Sequence, residues 1–332
     1  MPSARERFRW TTIDDPETGS PAGTVTQPVL FEQPVEREIG RGEFRGLEFL
    51  HVRARTIINE VGPNSPVPFR YTINAYRGCS HACAYCYSRP THEYLGLNAG
   101  ADFERVIVVK VNAVERLRAE LAPRRWRGDH IAMGTNTDPY QRAEGKYHLT
   151  RGIVEVLAGA ANPFSILTKN TLVLRDLDLL VEASQHTNVA VSFSIGTLDD
   201  DVWRATEPGT PHPRRRVEAV ARLNEAGVPC GVLVAPILPG LSDRREQLDE
   251  VVGACVEAGA PSISSVLLHL RPGVREHYLA WLEGYRPDLL DRHRRLYRGS
   301  YAPEPERARV SQLVQDLVRE HRRVKRGRRS TP

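Results

Sequence analysis

One feature constrains the fold of this chain more than any other: short β-rich runs alternate with helical patterns from residue 71 to residue 268. Strand patterns fall at 71–75, 106–109, 130–134, 164–168, 189–195, 230–236 and 262–268. Helical patterns fill 112–121, 149–161, 173–184, 213–226 and 244–258. Parallel strands need long crossovers, usually helical, so βαβ repetition predicts a parallel sheet. Helix ends carry matching punctuation at Ala226-Gly227-Val228-Pro229 and Ala258-Gly259-Ala260-Pro261, where Gly can turn left-handed and Pro cannot continue the helix. Periodicity leaves open whether the sheet closes towards a barrel or stays doubly wound.

The two ends read differently. Residues 1–45 carry Pro, Gly, Thr and charge without a period, which predicts an extended arm over 1–54 and a folded body from about residue 55. Beyond Gly273 the chain is helical and polar, broken by Pro287, Pro303 and Pro305, which predicts a helical appendage over 273–318 after a folded body of 55–272. Residues 319–332 hold seven basic side chains and one acid, Glu320, so this tail carries +6 and residues 1–318 carry −1. A charge block without interleaved aromatics predicts a solvated, disordered end, with phosphate binding as the alternative. No run of about 18 apolar residues occurs, and 1–10 lacks a signal-peptide core, so a soluble cytoplasmic protein without a membrane partner is expected.

Five cysteines in a chain of 332 residues make a poor disulfide framework. Cys230 begins an apolar run and Cys255 lies in a helical pattern, so both read as small buried hydrophobes. Cys79, Cys83 and Cys86 instead form C-x3-C-x2-C just after the first strand pattern. A loop that tight suits a compact iron–sulfur cluster, and three cysteines would leave one iron of a cubane open to another ligand. The competing reading is zinc with His81 or His92 as fourth ligand, although no second cysteine knuckle exists.

With Tyr85 directly before its last cysteine, this loop resembles the radical S-adenosylmethionine signature. Asn74 to Cys79, Thr135 to Gln141, Leu167 to Asn170, Ser192 to Ile195, Glu207 to Pro211 and Val234 to Ile237 are similar, in that order, to the spore photoproduct lyase-like group, often labelled DNA repair photolyase. The resemblance spans about residues 55–270. It implies an α/β fold with a partial (β/α)6 TIM-type barrel, a 4Fe-4S cluster on Cys79, Cys83 and Cys86, and S-adenosylmethionine on the open iron. It also implies reductive cleavage to methionine and a 5′-deoxyadenosyl radical that abstracts hydrogen from a substrate.

In such barrels chemistry sits at the C-terminal ends of the strands. The resemblance gives Thr135, Thr137 and Asp138 to the methionine amino group, against an ordinary Asx turn before Pro139. Lys169 would pair with the methionine carboxylate, and Ser192 and Ser194 with the ribose. Tyr85, Ala235 and His269 would border the adenine, with a barrel-rim histidine as the other reading of His269. Glu207 and Arg216 would support the cofactor or form an ion pair that fixes their loop.

The chain departs from the lyase in lacking a cysteine near Gly134 and Thr135, where that enzyme returns a hydrogen atom. Tyr140 or Tyr147 could substitute. A nucleic-acid substrate, DNA or RNA, therefore stands beside a peptide or small molecule, and a non-catalytic zinc or cluster protein is the third possibility. An external electron donor of flavodoxin or ferredoxin type is expected.

Overall fold

The computed structural model describes residues 31–329 apart from 64, 66, 124 and 125, with side chains from Glu36 to Arg328. In chain order the strands are β1 (Phe31–Ile39), β2 (Glu48–Ala54), β3 (Ile58–Glu60), β4 (Tyr71–Ile73), β5 (Tyr76–Arg77), β6 (Val106–Lys110), β7 (Ile131–Met133), β8 (Phe164–Thr168), β9 (Val189–Ser194), β10 (Cys230–Ile237) and β11 (Ile263–Leu267). The helices are α1 (Ala101–Arg105), α2 (Ala113–Leu121), α3 (Glu144–Tyr147), α4 (Leu149–Gly159), α5 (Leu177–His186), α6 (Asp200–Thr206), α7 (Pro213–Glu225), α8 (Arg245–Glu257), α9 (Val274–Tyr285), α10 (Leu290–Leu296) and α11 (Glu304–Arg329).

The main sheet runs β3-β4-β7-β8-β9-β10-β11. From β4 to β11 every pairing is parallel, and only β3 lies antiparallel, on the β4 edge. Six parallel strands follow one another in chain order with no reversal. A doubly wound sheet needs a reversal to place helices on both faces, so this is the partial (β/α)6 TIM-type barrel. β10 is apolar along almost its whole length and mostly buried, as expected of a strand covered on both sides. After α7 and α8 the chain turns at Gly227 and Gly259, both left-handed at φ +86° and +79°.

A second sheet, β1-β2-β6-β5, lies beside the barrel. It takes in much of the stretch expected to form an extended arm. β2 pairs in parallel with β6, and Phe49, Leu50 and Val52 are buried. Residues 31–54 are therefore part of the folded body, while 1–30 lie outside the described residues. The β-branched run Val106–Lys110, which reads as one more strand of the alternation, also belongs to this sheet, because α1 and the cysteine loop carry the chain away from the barrel before it.

The helical appendage is α9 to α11, and the basic end is a correction to the expected disorder. Residues 319–329 continue α11. Lys325 Nζ donates to the carbonyls of Val256 (2.6 Å) and Glu257 (2.9 Å), and Arg322 donates to Pro261 (2.8 Å). The first two are at the C-terminus of α8, where carbonyls lack helical partners and the dipole is negative, so cations there supply both donors and charge. Proximity decides the matter, since the sequence cannot show which helix end a basic run will meet. α11 starts next to Tyr301, whose backbone bridges His269 beyond the C-terminal end of β11, and its basic end reaches Pro261 before the start of that strand. No helix among the described residues is long and apolar enough to cross a membrane.

Candidate active site

Cys79, Cys83 and Cys86 lie on the loop leaving β5, all as free thiols, the first two 7% and 6% exposed. The loop is held from several sides. Gln141 donates to Gly78 O (2.9 Å) and accepts from Ser80 N (3.0 Å), so one buried amide takes up peptide groups on both sides of Cys79. Thr137 Oγ1 donates to Gly78 O (2.6 Å), Cys79 N to Phe103 O (2.9 Å) and Ala84 N to Thr206 O (3.0 Å). Gly209 N donates to His81 O (3.0 Å), and a Cβ at Gly209 would stand 2.2 Å from Ser80 O. The Glu207 to Pro211 motif thus needs its glycine because the backbone of one loop rests on the other.

Burial, aided by Asp138 and Cys86, pushes the Cys79 thiol up to about 12, and burial raises Cys83 and Cys86 as well. Without a cation the three are thiols. A cluster fits this donor set, because its irons supply the positive charge that thiolates in so dry a place require. The zinc alternative rests on His81 or His92, and of their ring nitrogens only His92 Nδ1 is buried without a hydrogen-bond partner. His81 is 1% exposed between Asp138 (3.5 Å) and Asn170 (3.3 Å), and His92 Nε2 is spent on Val106 O (2.9 Å). Among the described residues no three His, Cys, Asp or Glu side chains close on a single-ion position.

Next to this loop a polar network joins the ends of three strands. Lys169 Nζ, just past β8, is 2.6 Å from Ser194 Oγ at the end of β9, 3.4 Å from Ala235 O on β10 and 3.1 Å from Glu207. It also stands 5.6 Å from the centre of the Tyr85 ring. Ser194 Oγ donates to Ala235 O (2.7 Å). Glu207 accepts from the Tyr85 hydroxyl and from Arg216 (2.5 Å), a fully buried guanidinium that also holds Pro211 O (2.9 Å) and Ser194 O (3.1 Å). Burial alone would raise the Glu207 carboxyl, but Arg216 and Lys169 outweigh it and hold the group well below the usual carboxylate range. Burial and the Glu207 charge push the Tyr85 phenol well up.

The structure therefore brings Tyr85, Lys169, Ser194, Ala235, Glu207 and Arg216 together. The other expected site residues lie around them with different partners. Asp138 makes the Asx turn to Tyr140 N (2.9 Å) and also accepts from Thr168 Oγ1 (2.7 Å) and Lys169 N (2.7 Å), so its carboxylate braces the end of β8. Thr137 braces the cysteine loop, and Thr135 bonds Asn74 (3.1 Å) while its carbonyl accepts from the Tyr87 hydroxyl. Ser192 lies one pleat below Ser194, opposite Gly231, and joins none of these bonds. His269 is sandwiched between Tyr87 (5.7 Å) and Tyr301 (5.5 Å), and burial, with Arg271, lowers its ring.

Gln141, Tyr87 and Arg89 carry contacts that sequence reasoning did not assign. Their signal was position, one inside the Thr135 to Gln141 motif and two within three residues after the third cysteine. The missing thiol is also clarified. Gly134 has φ +90°, and a Cβ there would stand 2.0 Å from Leu167 O, which leaves Thr135 as the residue with room for a side chain. The buried Tyr140 hydroxyl lies near Asp176 and Glu144, and Tyr147 bonds His51 (2.7 Å) at the second sheet, so neither suggested donor joins the strand-end network. Cys230 at the start of β10 and Cys255 on α8 are fully buried.

A partial barrel with a three-thiol loop and a buried polar network at its strand ends defines a class. Residues 73–253 match the Radical SAM superfamily; the chain belongs to it and is a radical SAM enzyme. That superfamily uses S-adenosylmethionine and an iron–sulfur cluster. An uncharacterized protein of Mycobacterium tuberculosis is 42% identical over 316 residues, covering 95% of this chain and 93% of that protein. One from Methanocaldococcus jannaschii is 30% identical over 197 residues, covering 59% and 70%. Among solved structures, spore photoproduct lyase complexed with dinucleoside spore photoproduct aligns at TM-score 0.60 and 18% identity, covering 82% of this chain and 79% of that one. A variant of that lyase with bound AdoMet and the same dinucleoside aligns at 0.59 and 18%, covering 82% and 78%. At such identity the likeness is one of fold.

Proposed function

We propose that this enzyme binds a 4Fe-4S cluster through Cys79, Cys83 and Cys86, cleaves S-adenosylmethionine reductively, and uses the resulting 5′-deoxyadenosyl radical to take hydrogen from a nucleic-acid lesion or base. The observation that carries the reading is the Lys169, Ser194, Ala235 and Glu207 network beside the cysteine loop. The cluster and its bound S-adenosylmethionine supply the one-electron chemistry.

The protein's part is to bind and orient. Lys169 offers its ammonium to the methionine carboxylate, with Glu207 and Arg216 fixing where it points. Ser194 offers its hydroxyl to the ribose. Tyr85, Ala235 and His269 would border the adenine, and Thr135 would hold the methionine amino group. The low exposure of Tyr85 and Ser194 keeps water from the reacting atoms. Thr137 and Asp138 act one step back, through the cysteine loop and the end of β8.

Nucleic acid is favoured as substrate by the ordered lyase-like motifs and by the fold shared with a lyase whose solved complex holds a dinucleoside spore photoproduct. The basic end of α11 adds nothing to this, since it lies at the opposite end of β11 from the site. A peptide or small molecule is the second reading, favoured by the near-neutral body and the absent thiol. A flavodoxin- or ferredoxin-type protein would supply the electron.

The test is anaerobic reconstitution with iron and sulfide, then S-adenosylmethionine and a strong reductant. 5′-Deoxyadenosine and methionine should form. A yield no greater than that of the Cys79, Cys83, Cys86 to Ala triple variant would sink the proposal. Salt-dependent retention of a lesion-bearing oligonucleotide separates the two substrate readings.

A further inference from the structure

Arg89 is a fully buried guanidinium that neither the thiol ligands nor the strand-end network accounts for. Nε and one terminal nitrogen donate to Cys83 O (3.1 and 2.8 Å), and the other terminal nitrogen donates to Ala99 O (3.1 Å) and Gly100 O (3.3 Å). Glu104 pairs with it at 2.6 Å and is itself 29% exposed. Its guanidinium also lies 5.4 Å from the centre of the Phe103 ring, and Phe103 O holds Cys79 N. One planar fork therefore ties the backbone of the second cysteine to the loop entering α1, and α1 holds the first.

From this geometry we infer that Arg89 is a positioning residue for the cluster and a fixed positive charge that eases its reduction, with Glu104 moderating that charge. The inference rests on the cluster reading above. A buried cation that bonds the Cys83 backbone and acts on the Cys86 thiol opposes the negative charge that each added electron brings, and low-dielectric surroundings screen it little. Lysine could keep the charge but could not reach four carbonyl contacts, because an ammonium lacks the planar fork. The charge and the clamp are thus separable.

The experiment uses the full chain, reconstituted anaerobically, with iron counted per chain and the midpoint potential measured by redox titration followed by electron paramagnetic resonance. Arg89→Gln should make reduction about tenfold less favourable, about 59 mV lower for a one-electron couple. Glu104→Gln should shift the potential in the opposite direction, by less. Arg89→Lys should hold the potential near wild type while lowering the iron bound. If Arg89→Gln takes up no cluster, Glu104→Gln decides the matter by itself. An unmoved potential in Glu104→Gln, or a fall in both charge variants, overturns the inference, since mere loosening would not give opposite signs. Wild-type protein that takes up no cluster overturns the underlying reading instead, so the two failures are distinguishable.

Discussion

Replacing Glu207 with glutamine removes the one acid, among the described residues, that pairs directly with both Lys169 and Arg216. The amide keeps the shape and can still bond Tyr85 or Thr210, so the loss is mainly one of charge. Arg216 is fully buried and would be left with carbonyls and a hydroxyl alone. Removing one partner of a buried ion pair costs about 3–5 kcal/mol, which for a chain of this size lowers Tm by about 4–7 °C. The sign of the pH dependence follows from the depressed carboxyl. The stabilisation is fully present above the unfolded value near 4.3 and is lost as pH falls through the lower folded value. The Tm gap between wild type and Glu207→Gln should hold constant from pH 8 to about 5 and narrow only below about 4. Differential scanning calorimetry of the metal-free protein measures this. Adding Lys169→Met should recover part of the loss, because one stranded cation goes with it. A variant within 2 °C of wild type at pH 7, or a gap widening in acid, would refute the argument.

Lys169→Met should raise the S-adenosylmethionine concentration for half-maximal 5′-deoxyadenosine formation by about 10–150-fold, the worth of a charge-assisted hydrogen bond; an unchanged value would remove Lys169 from the cofactor site. Asp138→Asn removes the charge that holds Thr168, Lys169 and Tyr140 and should cost about 1–3 kcal/mol in urea unfolding, with a lower 5′-deoxyadenosine rate. In metal-free protein Cys79, pushed up to about 12, is almost wholly protonated at pH 8; iodoacetamide followed by peptide mass spectrometry should label it far more slowly than in unfolded chain, and equal rates would contradict its burial. Lys325→Met should cost about 1–2 kcal/mol by uncapping α8, and no change would deny the docked basic end a stabilising role.

Much of this protein was legible in its sequence because the signals are local. Hydrophobic runs, helix-end glycines and prolines, and β-branched segments such as 106–110 declare themselves within a few residues, so the alternation and its strand and helix positions could be read directly. The three cysteines are equally local, confined to one loop by their spacing. That Lys169, Ser194 and Ala235 would come near one another was legible for a related reason, since they lie at or near the ends of parallel strands in chain order, while their roles came only from the resemblance.

Tertiary structure decided what depends on contacts between distant segments. The sequence could not show that 48–54 would pair with 106–110, since a short strand without strong periodicity gains its place only through its partners. It could not show that Asp138 would brace β8, that Gln141 would bracket Cys79, or that Arg89 would reach Cys83 from behind, because a buried polar side chain takes its role from whatever carbonyl lies within hydrogen-bond reach. The same holds for the basic end of the chain. Its charge was plain from composition, but only the fold set those cations against the carbonyl end of α8, where desolvated acceptors and a negative dipole give a charged run a fixed place.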